Sequence, residues 1–210
     1  VVHATEQDSV EQSLHTLRTR NSGGPVSSHY LVGRDGALYQ LVADERRAWH
    51  AGSGHWGTIS DVNSASIGIE LDNNGSEPFP PAQIDKLLVL LEDLCMHLDI
   101  PRHQVIAHAD MAPARKTDPG PLFPWARLAQ AGFGRWPATL LEDAPAGFDA
   151  IAALRIIGYS TEDLASTLRA FRLHFRGVDL ADAQLQAEDL RLLYALTRIK
   201  AAASDPPPVQ

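Results

Sequence analysis

Three runs of sequence, SIGIEL (66–71), PPAQIDKLLVLLEDLCMHL (80–98) and QVIA (104–107), indicate the fold class. The first and last runs are short and apolar, which is typical of buried β-strands. In the middle run, apolar residues recur at steps of three and four, which predicts an amphipathic helix opened by the two prolines. A strand, a helix and a further strand in this order predict an α/β domain.

The residues before this segment supply further strands. VVH (1–3) reads as the end of a strand, and an amphipathic helix follows it. Residues 28–32 and 37–42 favour β-structure and are joined by Asp35–Gly36, which predicts a hairpin. Residues 51–65 are rich in Gly, Ser and Asn and indicate a long surface loop. Together these elements predict a mixed central β-sheet flanked by helices.

A change in composition after Trp136 predicts a second unit. The residues that follow contain prolines and a glycine and read as a linker. Three short helical patterns come next, with Gly158 and Gly177 as stop signals and Asp182 as the expected cap of the last helix. The predicted organisation has four parts: an α/β domain at 1–136, a linker at 137–147, a small all-α three-helix domain at 148–200 and a flexible tail at 201–210.

Composition excludes several classes of function. The 210 residues include 18 Lys and Arg against 26 Asp and Glu, for a formal net charge of −8, which disfavours nucleic acid as a partner. The single cysteine, Cys95, excludes an internal disulfide and a Cys-rich zinc finger, and its place in the helical pattern predicts a core residue. No run reaches the roughly 20 apolar residues of a membrane span.

Nine histidines in an acidic chain raise the question of a metal site. Most histidines in proteins are hydrogen-bonded or surface residues, so the local sequence must single out the ligands. The block HADMAPARKTDPGP (108–121) places Asp118 ten positions after His108, on a loop stiffened by prolines. Zinc hydrolases use three His, Asp or Glu ligands and leave one position open. The block offers two such ligands and leaves the third unidentified.

A resemblance to a known family supplies the missing ligand. The block at 108–121 and the runs SSHY (27–30), WHAG (49–52) and SIGIEL resemble the zinc N-acetylmuramoyl-L-alanine amidases of the amidase-2 family, especially its AmiD-type branch. The resemblance extends over most of residues 1–136. In addition, FRLHFR (171–176) is similar to the second helix of the small peptidoglycan-binding-like domain that follows the catalytic domain in that branch.

The resemblance implies a role for five residues. His3, His108 and Asp118 match the zinc ligands, Glu70 the catalytic carboxylate and Lys116 the lysine beside the metal. Zn²⁺ is therefore the expected cofactor. Glu70 would accept a proton from water, and Lys116 would help to stabilise the oxyanion. Without the resemblance, ordinary roles stay open for all of them: a surface histidine, a turn aspartate, a paired strand-end carboxylate and a solvated lysine.

Substrate contacts are predicted near the long loop. Trp49, His50 and Asn63 are expected to line the substrate site. Trp56, on the same loop, is equally compatible with docking and with local packing. His29, in the middle of an alternating run, is interpreted as a hydrogen-bonded structural residue and not as a ligand.

The implied function is zinc-dependent hydrolysis of the amide bond between N-acetylmuramic acid and L-alanine in peptidoglycan or its fragments. Alternatives are a noncatalytic peptidoglycan recognition protein and a secreted antibacterial effector with the same chemistry. Because intact peptidoglycan lies outside the inner membrane, we expect a periplasmic or outer-membrane-associated protein, with a cytoplasmic recycling enzyme as an alternative. A lipid anchor on a segment preceding Val1 is compatible with this expectation.

Overall fold

A mixed four-stranded β-sheet is the frame of the computed structural model, which describes residues 1–19, 24–137 and 140–199. Its strands are β1 (Val2–Ala4), β2 (Tyr30–Val32), β3 (Leu38–Gln40) and β4 (Ile69–Leu71). The spatial order is β1-β4-β2-β3, in which β4 is parallel to both of its neighbours and β3 is antiparallel to β2. The predicted fold class and the predicted hairpin are confirmed.

The register of β1 and β4 places two predicted site residues side by side. His3 is the partner of Glu70 across this parallel pair. Register partners in neighbouring strands project to the same face of a sheet. The face that carries the imidazole of His3 therefore also carries the carboxylate of Glu70.

Helices cover the sheet and connect its strands. They are α1 (Val10–Arg18), α2 (Val62–Ala65), α3 (Pro81–His97), α4 (His108–Met111), α5 (Trp125–Gln130), α6 (Ala150–Ile157), α7 (Leu164–Arg176) and α8 (Ala187–Thr197). The long helix α3 begins with proline at its first turn and buries an apolar face that includes Cys95, as expected. Gln83, also buried, donates hydrogen bonds to the carbonyls of Val32 and Asp72, which fixes α3 against the strand ends.

The strand predicted at residues 104–107 is wrong. A 3-10 turn occupies Arg102–Gln104, and a single parallel bridge joins Val2 to Ala107. The physical reason lies in Asp110, whose carboxylate accepts a hydrogen bond from the backbone N–H of Ala107 at 2.8 Å. This hydrogen bond begins α4 at His108. It also occupies the N–H of Ala107, which a continuing strand would need for pairing. His108 thus starts a short helix beside β1.

Residues 148–199, called the three-helix unit below, contain α6, α7 and α8. The last helix is capped by Gln186 and not by Asp182, whose carbonyl instead accepts a hydrogen bond from the fully buried Arg172. Arg172 also pairs with buried Asp189 at 2.7 Å. Most of FRLHFR (171–176) is buried, so these residues pack inside the protein. The hydrophobic cluster runs without interruption from the sheet into the three-helix unit.

The division into domains and linker remains a prediction. Residues 138–139 of the predicted linker and residues 200–210, which include the predicted tail, lie outside the described residues. Within the described part of the chain, no helix combines the length and the apolar character required to cross a bilayer.

Candidate metal centre

Side chains from three separate parts of the chain converge at one buried point. His3 lies in the middle of β1, His108 is the first residue of α4, and Asp118 lies in the loop that follows α4. The Nδ1 atoms of His3 and His108 are 2.9 Å apart. Oδ2 of Asp118 lies 3.1 Å from Nδ1 of His108 and 3.5 Å from Nδ1 of His3. The structure thus brings together the three residues that the resemblance names as ligands.

The size and chemistry of this triangle fit a zinc ion. Ligand atoms at about 2.0–2.1 Å from a tetrahedral zinc are separated from one another by about 3.3 Å. The observed separations, 2.9 to 3.5 Å, bracket that value. Two imidazole nitrogens and one carboxylate oxygen also form a donor set that catalytic zinc sites use.

Hydrogen bonds on the far sides of both imidazole rings leave their Nδ1 atoms available to a metal. Nε2 of His108 donates to the carbonyl oxygen of Ala51 at 3.0 Å, and the guanidinium of Arg115 donates to the same oxygen. Nε2 of His3 lies 3.1 Å from Nδ1 of His50, and a proton on the former satisfies this contact. A ring that is protonated at Nε2 presents the lone pair of Nδ1 to a cation.

Gly68 makes room for the ring of His50. A Cβ at position 68 would lie 2.3 Å from the His50 ring, so a larger residue there would displace it. The N–H of Gly68 donates to Nδ1 of His29, and Nε2 of His29 donates to the carbonyl of Arg46. His29 is therefore a structural residue, as expected. Gly68 is not among the predicted site residues, although a glycine inside an apolar strand is itself a sign of close approach.

The buried groups of the centre have strongly shifted pKa values. Burial by itself would raise the pKa of Asp118, but the close contacts of its carboxylate with the rings of His108 and His3 outweigh burial and hold that pKa far below the usual range. Burial, and next the proximity of His108, lower the pKa of His3 to about 3. Burial and the neighbouring His3 also lower the pKa of His50 far below its ordinary value. The lowered pKa values of Asp118 and His3 favour a carboxylate and a neutral imidazole, the protonation states that metal binding requires.

Glu70 and Lys116 line a cavity of about 150 Å³ together with His50, His108 and Asp118. Oε2 of Glu70 is buried and has no hydrogen-bond partner among the described residues. Burial, and next the charge of Asp118, raise the pKa of Glu70 to about 8, whereas Lys116 acts to lower it. A buried carboxyl oxygen without a partner among the described residues, beside three atoms that could hold a metal, is suited to proton transfer.

The three predicted substrate contacts lie in different environments. The side chain of Trp49 is 45% exposed, and the guanidinium of Arg47 lies 4.3 Å from the centre of its ring. His50 is buried and lines the cavity. Asn63 is buried, and its Oδ1 accepts hydrogen bonds from the backbone N–H groups of His50 and Ala51. Asn63 therefore holds the loop that supplies the carbonyl partner of His108.

Trp56 belongs to the core and not to the surface of the loop. Its ring is 9% exposed and meets the ring of Tyr159 edge-on, with centroids 5.0 Å apart. A larger cavity of about 330 Å³ adjoins Trp56, Leu91 and Ile106, and its lining is mainly apolar. None of the ligand atoms described above lines that cavity, so the smaller one is the candidate site.

Comparison with known proteins agrees with this geometry. The family model described as N-acetylmuramoyl-L-alanine amidase, Amidase_2, matches residues 1–121. N-acetylmuramoyl-L-alanine amidase AmiD of Escherichia coli is 38% identical, over 89% of this chain and 79% of that protein.

Two solved structures are similar to almost the whole chain. The complex of E. coli AmiD with the substrate anhydro-N-acetylmuramic acid-L-Ala-D-γ-Glu-L-Lys has a TM-score of 0.79 and 35% identity, and the match covers 93% of this chain and 86% of that one. AmpDh3 from Pseudomonas aeruginosa in complex with anhydromuramic pentapeptide has a TM-score of 0.81 and 32% identity, and the match covers 93% and 89%. Matches of this extent reach into the three-helix unit.

Proposed function

Because the chain belongs to the N-acetylmuramoyl-L-alanine amidase family Amidase_2, we propose that it hydrolyses the amide between N-acetylmuramic acid and L-alanine with a zinc ion held by His3, His108 and Asp118. The family expected from the motifs is confirmed. One observation carries the proposal for the metal: three buried donor atoms lie within 3.5 Å of one another, beside the cavity that contains Glu70 and Lys116.

Held by these three residues, zinc would supply a Lewis acid that polarises the scissile carbonyl and lowers the pKa of the attacking water. Glu70 accepts the proton of that water at Oε2, which is buried and unpartnered among the described residues. Burial raises the pKa of Glu70 to about 8 and Lys116 acts to lower it, so this carboxyl can take up and release a proton close to neutral pH. A cation held by the three ligands would further favour the carboxylate form. The same carboxyl then returns the proton to the leaving amine of L-alanine.

Lys116 contributes positive charge to the cavity. Its chain segment is fixed because its backbone N–H donates to the carbonyl of Ala112 at 3.0 Å. The side chain lines the same cavity as Glu70 and Asp118. We propose that the ammonium stabilises the negative charge that develops on the carbonyl oxygen during attack.

The dimensions of the cavity indicate how a muropeptide binds. Sites that enclose a whole ligand have volumes of roughly 300–1,000 Å³, whereas this cavity has about 150 Å³. We propose that it takes the scissile amide and that the sugar and the stem peptide lie outside it on the surface. Trp49, exposed and adjacent to His50, offers an aromatic face for the sugar ring.

We propose anhydromuramic peptides as soluble substrates, because the two similar solved structures contain ligands of that class. Intact peptidoglycan is the second proposed substrate, and its use requires a periplasmic or outer-membrane location. Cytoplasmic recycling would instead require a strong preference for soluble fragments. Rates on sacculi and on a soluble anhydromuramic peptide, measured side by side, distinguish the two.

For the three-helix unit we propose a second role in holding the protein on peptidoglycan. The proposal rests on the similarity of FRLHFR (171–176) to a peptidoglycan-binding-like helix. Since most of this run is buried, wall contact would have to come from the exposed faces of the unit. Cosedimentation of a turnover-deficient Glu70→Gln protein with insoluble sacculi tests the proposal, and absence of cosedimentation contradicts it.

The test of the proposed activity is identification of the products. The zinc-loaded protein should release a stem peptide with a free L-alanine amino group from a soluble anhydromuramic peptide, as seen by mass spectrometry. Glu70→Gln is the matched control and should bind the peptide without releasing it. Binding without cleavage by the unmodified, zinc-loaded protein would instead identify a recognition protein.

A further inference from the structure

Asp110, two residues after His108, is fully buried and accepts three hydrogen bonds. Its Oδ2 accepts from the backbone N–H of Ala107 at 2.8 Å and from Nδ1 of His174 at 2.7 Å. Its Oδ1 accepts from the hydroxyl of Tyr159 at 2.5 Å. One donor is thus local, and the other two are 49 and 64 residues away in the sequence.

Both distant donors belong to the three-helix unit. Tyr159 follows α6, and His174 lies on α7; both side chains are buried. The ring of His174 is stacked on that of Trp125 in α5, with centroids 3.8 Å apart. This stacking holds the ring of His174, and the edge-on contact with Trp56 holds the ring of Tyr159, with both donors directed at the carboxylate of Asp110.

Gly158, next to Tyr159 in the three-helix unit, contacts the loop at residues 51–65, which also bonds to His108. The carbonyl of Gly158 accepts a hydrogen bond from the N–H of Gly57 at 2.8 Å. A Cβ at position 158 would lie 2.6 Å from the Trp56 ring, so the two segments are in close contact. This loop begins with Ala51, whose carbonyl accepts from Nε2 of His108.

We propose that Asp110, Tyr159 and His174 form a positioning network through which the three-helix unit orients His108 for zinc binding and turnover. The unit would then act on the chemistry itself, in addition to any contact with peptidoglycan. For its activity readout this inference rests on the proposed amidase function, whereas its metal-affinity readout does not.

The chemistry of the contact distinguishes it from ordinary packing. A buried carboxylate is costly unless donors surround it, and apolar side chains would join two units without that cost. Here Oδ2 of Asp110 accepts hydrogen bonds both from Nδ1 of His174 and from the N–H of Ala107, the residue immediately before α4. Since His108 is the first residue of α4, a shift of this carboxylate moves the ligand ring directly. Changes to groups that orient a metal ligand typically weaken metal binding by about 10–100-fold.

Point variants test the network without removing the unit. Tyr159→Phe removes one oxygen and keeps the ring that contacts Trp56. His174→Phe keeps a ring for stacking and removes the donor, whereas His174→Asn restores a side-chain N–H close to the position of Nδ1. Tyr194→Phe is the matched control, because Tyr194 lies on α8 with its ring against Phe148.

The experiment measures the zinc dissociation constant of the full chain by competition with a chromogenic chelator, together with kcat and KM on a soluble anhydromuramic peptide. We expect the zinc dissociation constant to rise about tenfold or more in Tyr159→Phe and His174→Phe. Their kcat should fall while KM stays within about twofold of the wild-type value. His174→Asn should recover part of both losses, and Tyr194→Phe should match the wild type.

Two results separate this inference from its alternatives. If Tyr159→Phe and His174→Phe have lower melting temperatures but wild-type zinc affinity and kcat, the contact is packing alone and the inference is wrong. Circular dichroism identifies the temperatures at which each variant is folded, and zinc affinity is measured there. Tyr159→Phe is expected to change the packing least, because it removes only the hydroxyl oxygen. If the wild type binds zinc but cleaves no muropeptide, the proposed function fails, and the ratio of zinc dissociation constants still tests the network.

Discussion

His3 and Glu70 are register partners on the neighbouring parallel strands β1 and β4, so one face of the sheet presents an imidazole of the candidate metal triangle and a carboxyl side by side. The distance between these two groups is fixed by backbone hydrogen bonds and does not depend on a flexible loop. The other two proposed ligands, His108 and Asp118, reach the same point from α4 and from the loop behind it. A rigid sheet edge thus carries one half of the site and a short helix the other.

Glu70→Gln should separate catalysis from metal binding. The amide cannot accept the proton of the attacking water, so we expect kcat to fall by about 100-fold or more. Zinc content should stay near the wild-type value, because Glu70 is not among the three converging donors. Steady-state kinetics and metal analysis of the same preparation check both statements, and a fully active variant would remove Glu70 from the mechanism.

Asp118→Asn, in contrast to Glu70→Gln, should lose zinc and activity together. It removes the one negatively charged donor of the triangle, so zinc should be lost during dialysis and activity should fall with it. Excess zinc should restore part of the rate. Asp99→Asn, at an exposed position, is the control and should retain zinc. Stoichiometric, tightly bound zinc in Asp118→Asn would show that the ligand set is misassigned.

Gly68→Ala should weaken the site through His50. The added Cβ would lie 2.3 Å from the His50 ring, which must move and release Nε2 of His3. We expect a loss of about 1–3 kcal/mol in the free energy of unfolding and a zinc affinity about tenfold lower. Gly132→Ala is the control: its φ of +86° makes alanine costly, but the new Cβ would have no neighbouring atom of the described residues within 4 Å. It should lose stability and keep its zinc affinity; equal zinc affinity in both variants would contradict the role of His50.

Stability of the metal-free protein should depend on pH through Glu70. Its pKa is about 8 in the folded state, mainly because of burial, against an ordinary value of 4.5. Between these values the folded state keeps a proton that the unfolded chain has released, so this contribution to stability is present at low pH and is lost as pH rises. Relative to wild type, metal-free Glu70→Gln should therefore gain roughly 1–3 kcal/mol in the free energy of unfolding between pH 5 and pH 8.5.

Chemical denaturation of the two metal-free proteins at both pH values measures this gain. Glu162→Gln, an exposed glutamate in the three-helix unit, serves as the control and should differ from wild type equally at both pH values. A difference between Glu70→Gln and wild type that does not change with pH would show that Glu70 keeps an ordinary pKa in the fold.

Much of the fold follows from local sequence, because local rules determine it. The two prolines and the apolar periodicity that begin at Pro80 specify α3, and Asp35–Gly36 specifies the hairpin. Predictions from local patterns are wrong where a side chain that the pattern does not include forms a hydrogen bond with the backbone. Asp110 ends the expected strand at Ala107, and Gln186 caps α8 in place of Asp182.

Sequence motifs predict the proposed ligands of the candidate site, but they predict few of the contacts that hold those ligands in place. The block at 108–121 gives His108 and Asp118, whereas His3 was identified through family resemblance alone. The carbonyl of Ala51, the space above Gly68 and the donors Tyr159 and His174 depend on contacts between distant segments. No rule based on residue spacing predicts such contacts.

The most direct test of the central claim is a crystal structure of the zinc-loaded protein with anomalous data collected on both sides of the zinc absorption edge. The account predicts one strong anomalous peak at about 2.0–2.2 Å from Nδ1 of His3, Nδ1 of His108 and Oδ2 of Asp118. A zinc peak away from these atoms, or no peak in a fully active crystal, would contradict it.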